Sequence, residues 1–358
     1  MKTINLSCPV TPHTGYGVTS FNILKSLLSL EYDIHLFPIG NPQVQSEEDK
    51  NIVVNLINRA NNSYSKNNPY LKIWHQFDLA TRIGTAKYGA LVFFEIDKMN
   101  SIEINSMNNT DCVFVASKWA KEILESNNIK TKIVVSPLAV DTMVFKPILN
   151  TERKDNTYRF INIGKWEIRK GHDFLVEAFN AAFTEDDNVE LWMMNHNPFL
   201  NEQQNSVWHN LYSSSKLKDK IKFIPRVDKH SDVARIISQT DCGIFPARAE
   251  GWNNEILEVM AMNKPVITTN YSAHTEYCEQ NNSFLIDIDR LCPAKDDHFF
   301  RHGFGQWADL GSAQMEQTIE HMRYVYKNNI RTNQNGLEVA QQYTWNNTAD
   351  IISQELFS

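Results

Sequence analysis

The sequence predicts an α/β protein built from two parallel-sheet domains, and three observations carry that prediction. At 358 residues the chain is long for one α/β domain and about right for two. Short β-branched or apolar runs alternate with helical stretches over nearly its whole length, the pattern of strands joined by helical crossovers, which run parallel. Between Pro147 and Asn156 the pattern turns polar and non-periodic, as at a domain boundary. The expected division is residues 1–150, residues 151–338, and a C-terminal helical segment, 339–358.

In the first domain Thr3–Cys8 reads as a strand, and Pro9–Gly17 as a turn that opens onto a helix over Val18–Ser29. Only Gly15 and Gly17 are present and Ser20 stands where a dinucleotide fingerprint has its third glycine, so Gly15, Tyr16 and Gly17 form a glycine turn without that fingerprint. Ile34–Pro38 is a second strand, followed by an amphipathic helix around Asp49–Ala60. Leu71–Phe77 alternates like a strand and passes His75 at its end, while Ala90–Phe94 is a buried strand running into Glu95. Ligands gather at the carboxyl ends of parallel strands, so His75 and Glu95 are candidate functional residues. Asp111–Ala116 is a further strand with Ser117 capping the helix Lys118–Ser126, and Lys132–Pro137 follows. The doubled asparagines, such as Asn127-Asn128 and Asn281-Asn282, read as turn filler.

The second domain opens with a strand at Tyr158–Gly164, a loop over Lys165–Asp173 and a helix over Phe174–Phe183. Lys165 and Lys170 bracket that loop just before a helix start, where two ammonium groups can meet one diphosphate. Val189–Met194 and Ile221–Val227 are strands, and Val233–Ile237 is a helix face. Next comes a βαβ unit: strand Cys242–Phe245, a polar turn, a helix through Met260 and strand Lys264–Thr269. At the helix start the N–H groups of Gly251, Trp252, Asn253 and Asn254 favour an anion, with Asn253 or Asn254 as the cap. Glu250 and Glu258, eight positions apart, are acceptor-only groups suited to sugar or ribose hydroxyls beside such an anion. Phe299–Trp307 reads as irregular and aromatic, and Ser312–Lys327, Leu337–Gln342 and Thr348–Phe357 as helices.

Those motifs carry a resemblance. The span from Glu250 to Glu258, within Phe-Pro-Ala-Arg-Ala-Glu-Gly-Trp-Asn, and the following Lys-Pro-Val-Ile-Thr-Thr-Asn resemble the Glu-x7-Glu pattern of retaining, nucleotide-sugar-dependent glycosyltransferases of family 4. The combination of Gly-Lys-Trp-Glu-x-Arg-Lys-Gly-His-Asp with Asn-Tyr-Ser-Ala-His-Thr-Glu is similar to a subgroup found in cyanobacteria and their phages. The resemblance implies the GT-B architecture, in which two Rossmann-like domains with parallel sheets face each other across a cleft and the C-terminal helix returns to the N-domain. It gives Glu250 the transferred sugar, Glu258 the ribose hydroxyls, Lys165 and Lys170 the diphosphate, Gly15–Gly17 the diphosphate from the other domain, and Arg226 and Val227 the nucleobase. Glu95 stands where many members have a histidine, so Glu95 and His75 fall on the acceptor side.

The activity implied is transfer of a hexose, with retention, from a nucleoside-diphosphate sugar, UDP-glucose-like before GDP-linked, to an acceptor hydroxyl of undefined identity. No Asp-x-Asp motif is apparent, so neither metal nor cofactor is expected. Two alternatives stay open: an epimerase or hydrolase of the same architecture, and a non-catalytic sugar-nucleotide-binding protein. A net charge of −7 gives no overall field toward nucleic acid or anionic membrane. Five scattered cysteines without a Cys-x-x-Cys argue against a disulfide framework or zinc knuckle and fit the cytoplasm, or a host's cytoplasm for a phage protein. The N-terminal residues read as a strand start rather than a signal peptide, and no apolar run approaches a membrane span.

Overall fold

The computed structural model describes residues 2–148, 155–296, 298–300 and 303–358. The expected boundary at 150/151 lies outside these residues, as does part of the aromatic stretch around Arg301 and His302. The chain forms two units, Met1–Ala139 with Tyr343–Ser358, and Val140–Gln342. Residues 140–148 thus go with the second unit, where the buried Phe145 ring lies 6.0 Å from His230.

The first unit runs β1 (Thr3–Cys8), α1 (Gly15–Ser29), β2 (Asp33–Pro38), α2 (Glu47–Ser63), β3 (Tyr70–Ile73), β4 (Tyr88–Leu91), α3 (Ser101–Asn108), β5 (Cys112–Val115), α4 (Lys118–Ser126) and β6 (Lys132–Val135). The strands form one parallel sheet in the order β2-β1-β3-β4-β5-β6. The order reverses between β1 and β3, so their carboxyl-terminal loops open a crevice there. Helix α1 starts three residues earlier than the sequence pattern suggests because the Thr14 hydroxyl accepts from the Gly17 N–H, capping it. A Cβ on Gly17 would strike Thr11, so glycine is needed there for close approach, whereas Gly15 faces open space.

The second unit runs β7 (Tyr158–Gly164), α5 (His172–Ala182), β8 (Val189–Asn195), α6 (Glu202–Ser213), β9 (Ile221–Phe223), α7 (His230–Ser238), β10 (Cys242–Phe245), α8 (Asn254–Ala261), β11 (Val266–Asn270), β12 (Phe284–Asp287), β13 (Leu291–Pro293), β14 (Gln306–Ala308), α9 (Ser312–Lys327) and α10 (Gln334–Gln342). Its main sheet is again six parallel strands, ordered β12-β11-β10-β7-β8-β9, with the reversal between β7 and β10. Phe160, Leu175, Phe179, Leu191, Ile244 and Ile267 are fully buried at its centre. The stretch that reads as irregular holds one side of an antiparallel pair, β13 with β14, with Cys292 opposite Trp307.

The last helix, α11 (Trp345–Leu356), belongs to the first unit. Its buried Ala349, Ile352 and Leu356 pack on the unit, the Thr348 hydroxyl donates to the Pro137 carbonyl (2.6 Å), and Glu355 takes Lys87 (2.8 Å) and Lys132 (2.6 Å).

Candidate functional site

The reversal between β7 and β10 brings together two loops that lie about eighty residues apart in the chain. Gly171 explains how closely they approach: its φ is +74°, and a Cβ would strike the Pro246 carbonyl oxygen, so only glycine fits. Gly164, at φ +145°, lies flat against the Lys170 side chain, where a Cβ would come within 3.3 Å of its methylenes.

Those loops hold a nearly buried ionic network. Lys170 Nζ lies 2.7 Å from Glu250 Oε1, Arg169 Nη1 lies 2.8 Å from Glu250 Oε2, and Arg169 Nη2 lies 2.6 Å from Glu167 Oε2. Lys165 reaches the other Glu167 oxygen at 2.8 Å, and its ammonium also lies 5.3 Å from the Phe199 ring and 5.8 Å from Phe299. Three cations thus face two carboxylates, leaving one positive charge in excess. Burial opposes ionisation of Glu250, but Arg169 and then Lys170 outweigh it and hold the carboxyl well below its usual range. Burial likewise opposes charge on Lys170, and Glu250 reverses that, so its pKa is raised. Lys165, Lys170 and Glu250 are together as the sequence suggests, but both Glu250 oxygens are engaged, which the motif alone does not show. Arg169 and Glu167, given no role above, are integral to the network; the signal was the run of alternating charge in Lys165-Trp-Glu-Ile-Arg-Lys170.

The turn after β10 departs from the expected cap. Asn253 is in the left-handed region at φ +77° and makes no side-chain cap to α8; its amide donates instead to His274 Nε2 at 3.1 Å. The Nδ1–H of His274 donates to the Thr269 carbonyl (3.1 Å), and burial lowers its pKa to about 4, so the ring is neutral. Helix α8 therefore starts without a side-chain cap, as does α5 behind Gly171. The Oδ1 atoms of Asn253 and Asn254 are buried with no hydrogen-bond partner among the described residues. Gly251 and Trp252 are buried in the same turn, where the Tyr277 hydroxyl donates to the Trp252 carbonyl at 2.7 Å. Glu258 lies one turn into α8; burial, and then Glu255, raise its carboxyl from 4.5 to about 8.

Beyond the carboxyl ends of β8 and β9 the second unit has a cavity of about 410 Å³. Trp166, Met193, Asn195, Phe223, Ile224 and Arg226 are among its walls; Val227, the next residue, is not. It adjoins the lysine loop, because Trp166 lies in that loop and the His196 N–H donates to the Gly164 carbonyl at 3.2 Å. Trp166 stacks on Trp208 at 5.9 Å and 4°, and Phe223 on His209 at 3.7 Å.

In the first unit, the reversal between β1 and β3 gathers Tyr16, His75 and Glu95. The Tyr16 ring lies 4.8 Å from both His75 and Phe93, its hydroxyl accepts from the Phe93 N–H at 3.1 Å, and Glu95 is close enough to act on that phenol. The half-exposed Phe77 stacks on His75 at 5.1 Å and 10°. No group of three or more His, Cys, Asp or Glu suited to a metal occurs among the described residues. None of their helices is long and apolar enough to cross a membrane.

Two Rossmann-like units with these sheets, and a last helix that joins the first, define the GT-B class of fold. Residues 157–296, which contain both charged loops and the cavity, match the family model described as glycosyl transferases group 1. The chain is 28% identical over 176 residues to an uncharacterized glycosyltransferase of Methanocaldococcus jannaschii, covering 44% of this chain and 39% of that protein, and thus spans well under half the relative's length. Among solved structures it resembles sucrose-phosphate synthase from Thermosynechococcus elongatus, with a TM-score of 0.74, 15% identity, and coverage of 100% of this chain and 99% of that one. HepE of Anabaena, solved in complex with UDP-glucose, has a TM-score of 0.71 at 15% identity, with both chains covered in full.

Proposed function

We propose that the chain is a retaining glycosyltransferase that moves a hexose from a UDP-sugar to an acceptor hydroxyl. The observation that carries this reading is the network of Lys165, Arg169 and Lys170 against Glu167 and Glu250, with its excess positive charge, beside the uncapped starts of α5 and α8. A diphosphate brings negative charge that such a site lacks, and helix N–H groups favour it. Lys170 has three donors and Glu250 uses one, so a phosphate oxygen can be added without breaking the pair.

In this reading Lys165 and Lys170 stabilise the charge that grows on the leaving diphosphate, so the residues supply what a divalent ion supplies elsewhere. Attack comes from the face of departure, and the leaving phosphate oxygen helps to take the acceptor's proton. Glu250 sits beside the sugar, Glu258 meets the ribose hydroxyls as a protonated carboxyl that can both donate and accept, and Arg226 borders the base cavity. In the first unit, Gly15 and Gly17 are assigned to the donor's diphosphate, and His75 and Glu95 to the acceptor. The five cysteines are free thiols, which supports a reducing compartment such as the cytoplasm.

The test is incubation with UDP-glucose and a panel of hydroxyl acceptors, followed by NMR of the product's anomeric proton. An α-linked product with release of UDP is expected. Free glucose or an epimerised donor as the only product would replace the transferase with a hydrolase or epimerase.

A further inference from the structure

The 410 Å³ cavity has a feature that stacking and a diphosphate site leave unexplained. Asn195, which lines it, carries an Oδ1 that is buried and has no hydrogen-bond partner among the described residues. Turned inward, that oxygen would lie 2.7 Å from Asn162 Oδ1, acceptor against acceptor, in exchange for a donor at His172 Nε2, 3.1 Å away. Asn162 donates its own Nδ2 to the Ile244 carbonyl at 2.6 Å, which fixes Asn162 Oδ1 as an acceptor. Asn195 Nδ2 donates to that oxygen at 2.7 Å. His172 supports the same arrangement: its Nδ1 accepts from the Glu167 N–H at 3.1 Å, so its Nε2 carries the hydrogen and lies 3.0 Å from Asn162 Oδ1. With one N–H of Nδ2 committed inward, Oδ1 is the atom of the Asn195 amide left without a partner. Two backbone positions of the walls offer it no donor: the Ile224 N–H is bonded to the Met193 carbonyl at 2.9 Å, and Pro225 has no N–H.

We infer that Asn195 is the residue that selects the base, its Oδ1 accepting the ring N–H on the pairing edge of a uracil-type base. A buried acceptor left without a donor is costly, so a ligand bringing an N–H is favoured over one bringing a lone pair. Uracil presents an N–H at ring position 3, whereas cytosine, otherwise nearly the same shape, presents an acceptor there. The inference rests on the donor-site reading above.

The experiment is calorimetric titration of the full chain with UDP and with CDP, for the wild type and Asn195→Ala, with thermal unfolding as a check on folding. The wild type should bind UDP about tenfold or more tighter than CDP, and Asn195→Ala should bring the two affinities to within about threefold by weakening UDP alone. Equal affinities in the wild type, an unchanged preference in the variant, or equal weakening of both nucleotides would overturn the inference while leaving the donor site in place. Failure of the wild type to bind either nucleotide would overturn the donor-site reading itself.

Discussion

Arg169 and Glu250 show how much of this site rests on single side chains. Each is almost fully buried, and removing one partner of a buried ion pair costs about 3–5 kcal/mol because the other charge is left uncompensated. Arg169→Met should therefore lower stability by a few kcal/mol in chemical unfolding, about the range for such a pair. Gly171→Ala should be poorly tolerated for two separate reasons, the +74° φ and the Pro246 carbonyl, and should lose more than about 1 kcal/mol, read by the same unfolding curves. Glu258 gives a pH signature. Its carboxyl, raised to about 8 by burial and Glu255, keeps a proton in the folded chain that the unfolded chain releases near 4.5, so its contribution to stability falls as pH rises between those values. Relative to wild type, Glu258→Gln should gain stability from pH 5 to pH 8.5 while binding UDP more weakly; parallel stability curves would refute the shift. At this scale the sequence was only partly legible. Lys165, Lys170 and Glu250 stand in recognisable motifs, but Arg169 acquires its role from a carboxylate eighty positions away. Asn253 looked like a cap because nothing local reveals that His274, twenty-one residues on, takes its amide.

Strands in β-branched runs such as Val266–Thr269, bounded by proline and asparagine, were legible because such runs have few other solutions, whereas β12, β13 and β14 went unread. Two helices went unread, α3 and α6. Both start at asparagines that make reciprocal capping boxes, Asn100 with Glu103 and Asn201 with Gln204, a signal hidden by treating asparagine as turn filler. Asn127 likewise does more than fill a turn, accepting from the Met99 N–H at 2.8 Å and donating to the Asp97 carbonyl at 2.9 Å. Helix α11 is the element whose removal tests the first unit. Deleting residues 343–358 uncovers Ala349's, Ile352's and Leu356's packing surfaces and strands Lys87 and Lys132 without Glu355. The shortened chain should melt several degrees lower or precipitate, whereas an unchanged melting curve would show that the helix is not part of the unit's core.

For the molecule as a whole, two parallel six-stranded sheets each reverse strand order once, and each reversal gathers the chain's chemically distinctive side chains: the charged network in one unit, and Tyr16, His75 and Glu95 in the other. That both halves are α/β was evident from periodicity, but strand order was not, because it is settled by which strands pair across the sheet rather than by any local pattern. The central claim is that the charged loops of the second unit bind the diphosphate of a nucleotide sugar. Titration of UDP into the wild type and Lys170→Met tests it most directly, since Arg169 still pairs with Glu250 in the variant. The account predicts binding by the wild type and a loss of about tenfold or more in the variant. A Lys170→Met protein that binds UDP as tightly as the wild type would contradict it.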